Sequence, residues 1–235
     1  MRTVILCGGK GTRAYPHSLE VPKPLLEVGD RPVLQHVMEI YASQGHDDFI
    51  LAAGYKVELV AAFAESLPSS WRVQVVDTGE DTNTAGRVAR CRDLAGEVFF
   101  VTYADGLGDV DLAELLAFHV AHGDAATLTS VPLPSPYGTL DLDDDGRVRR
   151  FREKPKLTDH LINAGFFVFD QPVFAHWEGE DLERDVLPAL GRAGQLHAYR
   201  HQGFWRSMDT FKDSIELGRL WRNGSAPWRG AVSPS

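Results

Sequence analysis

The sequence predicts an α/β fold, one domain built on a mixed, mostly parallel sheet with helices on both faces. Three observations predict it. The chain has 235 residues, a length that suits a single large α/β domain. Through the first half, short apolar runs alternate with segments of helical spacing. Glycines and prolines punctuate that alternation.

Taken in order, Arg2–Cys7 is an apolar run that stops at Gly8-Gly9 and reads as a buried strand. Val33, Leu34, Val37, Met38, Ile40 and Tyr41 recur at helical spacing and stop at Gly45, and Pro32 sits where a first helical turn tolerates it. Asp48–Ala53 is a second strand, ending at Gly54. Val57–Ala64 is helical and is closed by Pro68. Val73–Val76 is a third strand, Val88–Leu94 a short helix, and Glu97–Tyr103 a fourth strand rich in β-formers. Asp111 can cap a helix over Leu112–Ala121, which stops at Gly123. Such alternation with short loops argues for a parallel sheet covered on both sides.

In the second half Ala126–Val131, Thr139–Leu142, Val148–Glu153, Gly165–Phe169 and Leu196–Arg200 are strand-like, with helices over Asp181–Leu190 and Thr210–Arg222. Asp143-Asp144-Asp145-Gly146 reads as a hairpin turn; it lacks the downstream Glu of a calcium loop. This half adds strands and loops over one edge. The expected domain spans residues 1–229, followed by a flexible tail at 230–235.

Lys and Arg number 24 against 33 Asp and Glu, a net charge of −9. That balance disfavours a nucleic-acid or anionic-membrane binder and leaves carboxylates for a divalent cation. Cys7 and Cys91, the two cysteines, are too few for a disulfide framework or a Cys-rich zinc site, so a reduced, cytoplasmic compartment is the simplest expectation. The apolar start is too short for a signal peptide, and no stretch approaches the ~20 apolar residues of a membrane span.

The segment Leu6-Cys7-Gly8-Gly9-Lys10-Gly11-Thr12-Arg13, directly after the first strand, admits three readings. It is a plain strand-to-helix turn, or a dinucleotide fingerprint (Gly9, Gly11 and Ala14), or one end of a phosphate loop that continues to Pro22-Lys23-Pro24-Leu25. The fingerprint needs an immediate helix, which Pro16, Pro22 and Pro24 prevent, and an acid ending the second strand, where Ala53-Gly54 stands. The long loop instead combines bare backbone, a guanidinium and an ammonium at the carboxyl end of a strand, which suits a triphosphate.

These residues resemble the signature of the sugar-1-phosphate nucleotidyltransferases. Thr102-Tyr103-Ala104-Asp105-Gly106 resembles that family's metal-binding strand end. Glu153-Lys154-Pro155 and Asn163-Ala164-Gly165-Phe166-Phe167 resemble its sugar-phosphate segments, and Gly203–Thr210 its second metal segment. Asp77-Thr78-Gly79, Thr84-Ala85-Gly86-Arg87, Trp205 before Met208-Asp209-Thr210, Leu220-Trp221 and Ala226-Pro227-Trp228 resemble the branch that uses CTP and glucose 1-phosphate. The likeness covers roughly residues 1–229. Two features depart from it. Only Ser66–Trp71 fills the place of a long insertion that contributes to subunit contacts in that branch. Pro136-Tyr137-Gly138 replaces the usual Arg-Phe-Gly, and Ala104 a usual glycine, which bears on the sugar.

The resemblance implies a Rossmann-like fold of the nucleotide-diphospho-sugar transferase type. It also implies attack of a sugar 1-phosphate on the α-phosphorus of a nucleoside triphosphate. The nucleotide site it implies is Leu6, Gly8, Gly9, Gly11, Thr12, Arg13 and Lys23, with Thr78 and Gly86 beside the base. Tyr137, Gly138, Glu153, Lys154, Asn163 and Trp205 are implied at the sugar phosphate. Asp105 and Asp209 are implied to share Mg²⁺, and a homo-oligomer is expected. In catalysis Arg13 holds the β/γ phosphates and Lys23 the α-phosphate. Other triphosphates or sugar phosphates remain open, as does a regulatory nucleotide or sugar sensor without turnover. Asp209 could instead cap the last helix, and Glu153-Lys154 could be a surface ion pair. His119 and His122, an i, i+3 pair, read more simply as a solvated helix face than as metal ligands.

Overall fold

Apolar strand residues that alternate in the sequence sort onto the two faces of one central sheet. The computed structural model describes residues 1–12 and 19–229, so Arg13 and the expected tail at 230–235 lie outside the described residues. In chain order the elements of the first half are β1 (Arg2–Leu6), the hairpin β2 (Glu27–Val28) and β3 (Arg31–Pro32), α1 (Val33–Ala42), β4 (Asp48–Ala53), α2 (Val57–Glu65), β5 (Arg72–Asp77), α3 (Thr84–Arg90), α4 (Arg92–Ala95), β6 (Val98–Tyr103), β7 (Gly106–Gly108) and α5 (Leu112–His122). The second half adds β8 (Ala126–Pro134), β9 (Thr139–Leu142), β10 (Val148–Arg152), β11 (Lys156–Asn163), β12 (Phe167–Asp170), α6 (Leu187–Arg192), β13 (Leu196–Arg200), β14 (Trp205–Ser207) and α7 (Phe211–Arg222).

The strand order is β11-β8-β12-β6-β1-β4-β5, with β13 paired to β8. β1 runs parallel to β4 and β6, and β4 to β5, as the alternation predicts. β12 pairs antiparallel with β6 and β8, which makes the sheet mixed. Ile5, Leu51 and Phe100 face α1 and α7 through Leu34, Met38, Tyr41, Leu217 and Trp221. Val4, Leu6, Ile50, Phe99 and Val101 face the opposite layer, with Ala85, Val88 and Ala95 of α3 and α4. Burial of two apolar faces supplies most of the stability of such a sheet. Phe166, Phe167 and Phe169 are all fully buried.

Several elements differ from expectation. The helix expected over Val88–Leu94 begins earlier, because the Asn83 side chain caps the Thr84 N–H at 2.8 Å, and it breaks at Cys91 into α3 and α4. The strand expected from Gly165 begins at Phe167, since Gly165 (φ 78°) and Phe166 (φ 49°) adopt left-handed backbone. Leu182–Val186 is a π-helical turn leading into α6, where Pro188 offers no N–H to the i−4 carbonyl. β11 was not expected: Lys156–Asn163 is mostly exposed and shows no apolar alternation. His119 is not on a solvated face; it is 2% exposed, held between Thr127 and Asp170. Among the described residues no helix is long and apolar enough to cross a membrane.

Candidate active site

The carboxyl ends of the parallel strands β1 and β6 converge on one cleft, the crest where open α/β sheets bind ligands. A cavity of about 300 Å³ is lined there by Leu6, Gly8, Gly9, Gly11, Thr12, Lys23 and Asp105, together with Thr82, Asn83, Thr84, Arg87 and Tyr103. The glycines of the loop have different jobs. Gly8 is pressed against Arg87, and a Cβ there would overlap the guanidinium, 2.8 Å even from Nε. Gly11 is left-handed (φ 61°), and its missing Cβ lets Lys23 approach; an added one would lie 2.5 Å from the Lys23 Cβ. A Cβ at Gly9 would meet no atom within 4 Å, so the backbone there is open to a ligand.

Arg87 is 4% exposed and donates to five oxygens: Ala53 O at 3.1 Å, Thr78 Oγ1 at 2.6 Å, Gly79 O at 2.9 Å, Gly8 O at 3.0 Å and Glu80 O at 3.1 Å. It ties the glycine loop to the ends of β4 and β5. Burial draws its pKa below the usual guanidinium value. Lys10 crosses to the same rim, 2.8 Å from Glu80.

The two acids meet through a short ribbon. β7 follows Asp105 and pairs antiparallel with β14, Gly106 opposite Ser207. The Met208 N–H then donates to Asp105 O at 2.9 Å, and Asp209 comes next in the chain. Asp109 anchors the approach to β14, accepting from Phe204 N at 2.7 Å and contacting His201 Nε2 at 2.8 Å. Lys23, in a single 3-10 turn (Lys23–Leu25), places its ammonium between both acids: it is ion-paired to Asp105, and Asp209 Oδ1 is 3.2 Å away. The Lys23 side chain is 9% exposed, those of Asp105 and Asp209 23% and 32%. Two hard oxygen donors converging on one cationic position, with solvent alongside, fit Mg²⁺, which takes oxygen ligands and retains waters. Asp209 does not cap α7; Thr210 does, in a capping box with Asp213.

A second hollow, about 630 Å³, adjoins at Asp209 and is lined by Ser135, Lys154, Trp205, Arg206, Ser207 and Asp213 among others. Lys154 carries left-handed backbone (φ 44°), a conformation that costs energy in a non-glycine residue and clusters at functional sites. Gly138 and Glu153 lie together: a Cβ at Gly138 would be 3.1 Å from Glu153 Oε2. Trp205 Nε1 donates to Ala164 O at 2.8 Å. Asn163 donates to Tyr103 OH at 3.1 Å and accepts from Gly165 N at 2.9 Å. Tyr103 in turn bonds Glu183, and burial raises its pKa well above the usual phenol value.

Gly138, Glu153 and Asn163 line neither hollow, and three further expected positions, Thr78, Gly86 and Tyr137, are likewise not brought into the cleft. Thr78 is 1% exposed, its hydroxyl donating to Ala53 O at 2.5 Å while accepting from Arg87. Gly86 leaves room for Glu180, whose carbonyl accepts its N–H at 3.3 Å. Tyr137 is 76% exposed and absent from both linings. Thr82, Asn83 and Thr84 occupy the rim instead. The sequence offered them only as neighbours of Thr78 and Gly86.

Residues 2–221 match the family model described as Nucleotidyl transferase. A protein named probable glucose-1-phosphate cytidylyltransferase from Bacillus subtilis (strain 168) is 38% identical, over 97% of this chain and 99% of its own. The glucose-1-phosphate cytidylyltransferase of Salmonella typhi is 37% identical, over 97% of this chain and 99% of its own. Among solved structures, HddC from Yersinia pseudotuberculosis superposes with a TM-score of 0.74 at 22% identity, covering 94% of this chain and 99% of that one, which speaks to the fold.

Proposed function

We propose that the chain, which belongs to the nucleotidyl transferase family, transfers the cytidylyl group of CTP to glucose 1-phosphate and releases pyrophosphate. The observation that carries this reading is Lys23. One ammonium contacts Asp105 and Asp209 where the glycine-loop cavity adjoins the hollow that holds Lys154. The choice of CTP and glucose 1-phosphate is supported by the two relatives that bear those names.

The nucleophile is a sugar phosphate oxygen, already anionic because its second pKa is ~6. No general base is needed. That oxygen forms a bond to the α-phosphorus while the bond to the β-phosphate oxygen breaks, and the electron pair leaves with pyrophosphate. The obstacle is the meeting of two polyanions, so the protein works by positioning and charge neutralisation. Gly9 and the neighbouring loop backbone receive the triphosphate. Lys23 steadies the α-phosphate and the incoming oxygen. Lys154 holds the sugar phosphate, and Glu153 and Asn163 are assigned to sugar hydroxyls from their segments' resemblance. Arg13, outside the described residues, is assigned the β/γ phosphates from its place in the loop. Asp105 and Asp209 would hold Mg²⁺, which when bound offsets phosphate charge and polarises the phosphoryl group. The cytoplasm is the proposed compartment. A homo-oligomer is supported by the exposed face of the β9–β10 ribbon, where Leu140, Leu142, Val148 and Phe151 are each at least 51% exposed.

A panel of five nucleoside triphosphates against several sugar 1-phosphates, read as pyrophosphate release with Mg²⁺, tests the reading. CTP with glucose 1-phosphate is expected to give the highest kcat/KM. Release with another pair would replace those substrates, and no release with any pair would leave a sensor. Sedimentation equilibrium gives the oligomer; a monomer would refute that element.

A further inference from the structure

Far from the cleft, three metal-ligating side chains converge that the nucleotidyl transfer does not use. Helix α5 ends at His122, and Gly123 (φ 72°) turns the chain in a left-handed cap directly into Asp124 and β8. β13 pairs parallel with β8 so that His197 lies opposite Thr127. His197 Nε2 is 2.6 Å and His122 Nδ1 4.0 Å from the same carboxylate oxygen, Asp124 Oδ2. One ligand atom from each of the three lies within 4.8 Å of the others.

The surrounding bonds fix the tautomer of His122. Asp124 N–H donates to His122 Nδ1 at 3.0 Å, so the neutral ring carries its proton on Nε2. That Nε2–H faces Thr127 Oγ1 at 2.7 Å, the Thr127 hydroxyl faces His119 Nδ1 at 2.8 Å, and His119 Nε2–H faces Asp170 at 3.1 Å. A single proton order satisfies the whole relay, and it ends on a carboxylate. Such a chain fixes the tautomer and leaves the lone pair on Nδ1, the nitrogen on the Asp124 side of the ring. The carbonyl end of an 11-residue helix adds negative potential at the same spot. The rings of His122 and His197 stack at 4.0 Å, and His197, 40% exposed, keeps its Nε2 on Asp124.

We propose that His122, Asp124 and His197 form a second metal site, taking a first-row transition ion of the Zn²⁺ class with solvent completing its coordination. Two imidazoles and one carboxylate suit such an ion rather than Mg²⁺. It is distinct from the carboxylate pair. His119's partner Asp170 pairs with Val98, at the opposite end of β6 from Asp105, on the order of 20 Å away at ~3.3 Å per strand residue. The ion would pin β13 to the end of α5.

The test titrates Zn²⁺ into the metal-free full chain by calorimetry, in excess Mg²⁺ to occupy the carboxylate pair, and repeats it with Co²⁺ read by visible absorption. One equivalent of each ion is expected to bind, with a rise in unfolding temperature. His197→Ala and Asp124→Asn should each weaken binding at least tenfold, while the double variant Asp105→Asn/Asp209→Asn should retain it. Absence of stoichiometric binding would overturn the proposal. So would binding that survives His197→Ala and Asp124→Asn, or that disappears in the Asp105→Asn/Asp209→Asn variant.

Discussion

Two neighbouring glycines of one loop should respond oppositely to the same substitution. In Gly8→Ala the new methyl must occupy space filled by the Arg87 guanidinium. The side chain is long, but five acceptors hold its end, so it moves only by breaking bonds. A hydrogen bond to a charged group contributes ~1.5–3 kcal/mol, so losing only two costs about 3 kcal/mol. For a chain of this size that lowers the unfolding temperature by roughly 6–12 °C. Gly9→Ala meets nothing within 4 Å and has no left-handed backbone to strain, so its stability should stay within about 0.5 kcal/mol of the parent. Its effect should fall on the ligand, as a raised KM for the triphosphate, because the methyl stands where the backbone is open. Differential scanning calorimetry and pyrophosphate-release kinetics on both variants decide the matter. A Gly8→Ala protein that unfolds within about 2 °C of the parent would refute the role of Arg87 as a brace. A Gly9→Ala protein as unstable as Gly8→Ala would refute the division of labour.

Other outcomes follow from the same geometry. Asp105→Asn and Asp209→Asn should each lower kcat by about 10² or more while circular dichroism and unfolding temperature stay near the parent's, since both carboxylates lie at the crest rather than in the core. Asp213 pairs with Arg206 at 2.8 Å; burial opposes its ionisation, but bonds from Arg206 and Thr210 outweigh that and depress its carboxyl below 3.8. This stability is present above pH 3.8 and is lost as pH falls through the depressed value, so Arg206→Met should move acid unfolding to a higher pH in a circular-dichroism titration. Burial raises the Cys7 thiol to about 12 and the Cys91 thiol to about 11, so neither should react with a thiol reagent at pH 8 until denaturant is added, as mass spectrometry would show.

The α/β alternation of the first half was legible because two periods, with glycines at most turns and Pro68 after α2, report it directly. Asp48–Ala53 is a strand to the residue, and Asp111 caps α5 as its side-chain chemistry demands. The second half was less so. β11 is exposed and charged, so burial leaves no mark on its sequence. β7, from the first half, and β14 are three residues each, too short to show a period, yet their pairing is what joins Asp105 to Asp209. The role of Arg87 was also hidden. A cation beside a glycine loop suggests phosphate, but its five oxygen partners come from segments scattered between Gly8 and Glu80.

By itself the sequence determined which residue types were present for phosphate and metal chemistry, and the strand ends that would present them, because periodicity and glycine placement are local properties of the chain. Only the tertiary structure decided which of them meet. It brought Lys23 between two acids 104 positions apart, turned Thr78 and Gly86 into framework, and left Tyr137 in solvent. It also gathered His122, Asp124 and His197 at the far end of the sheet. Contacts between distant segments depend on strand pairing and on how burial is shared, and neither is written in any one stretch of residues.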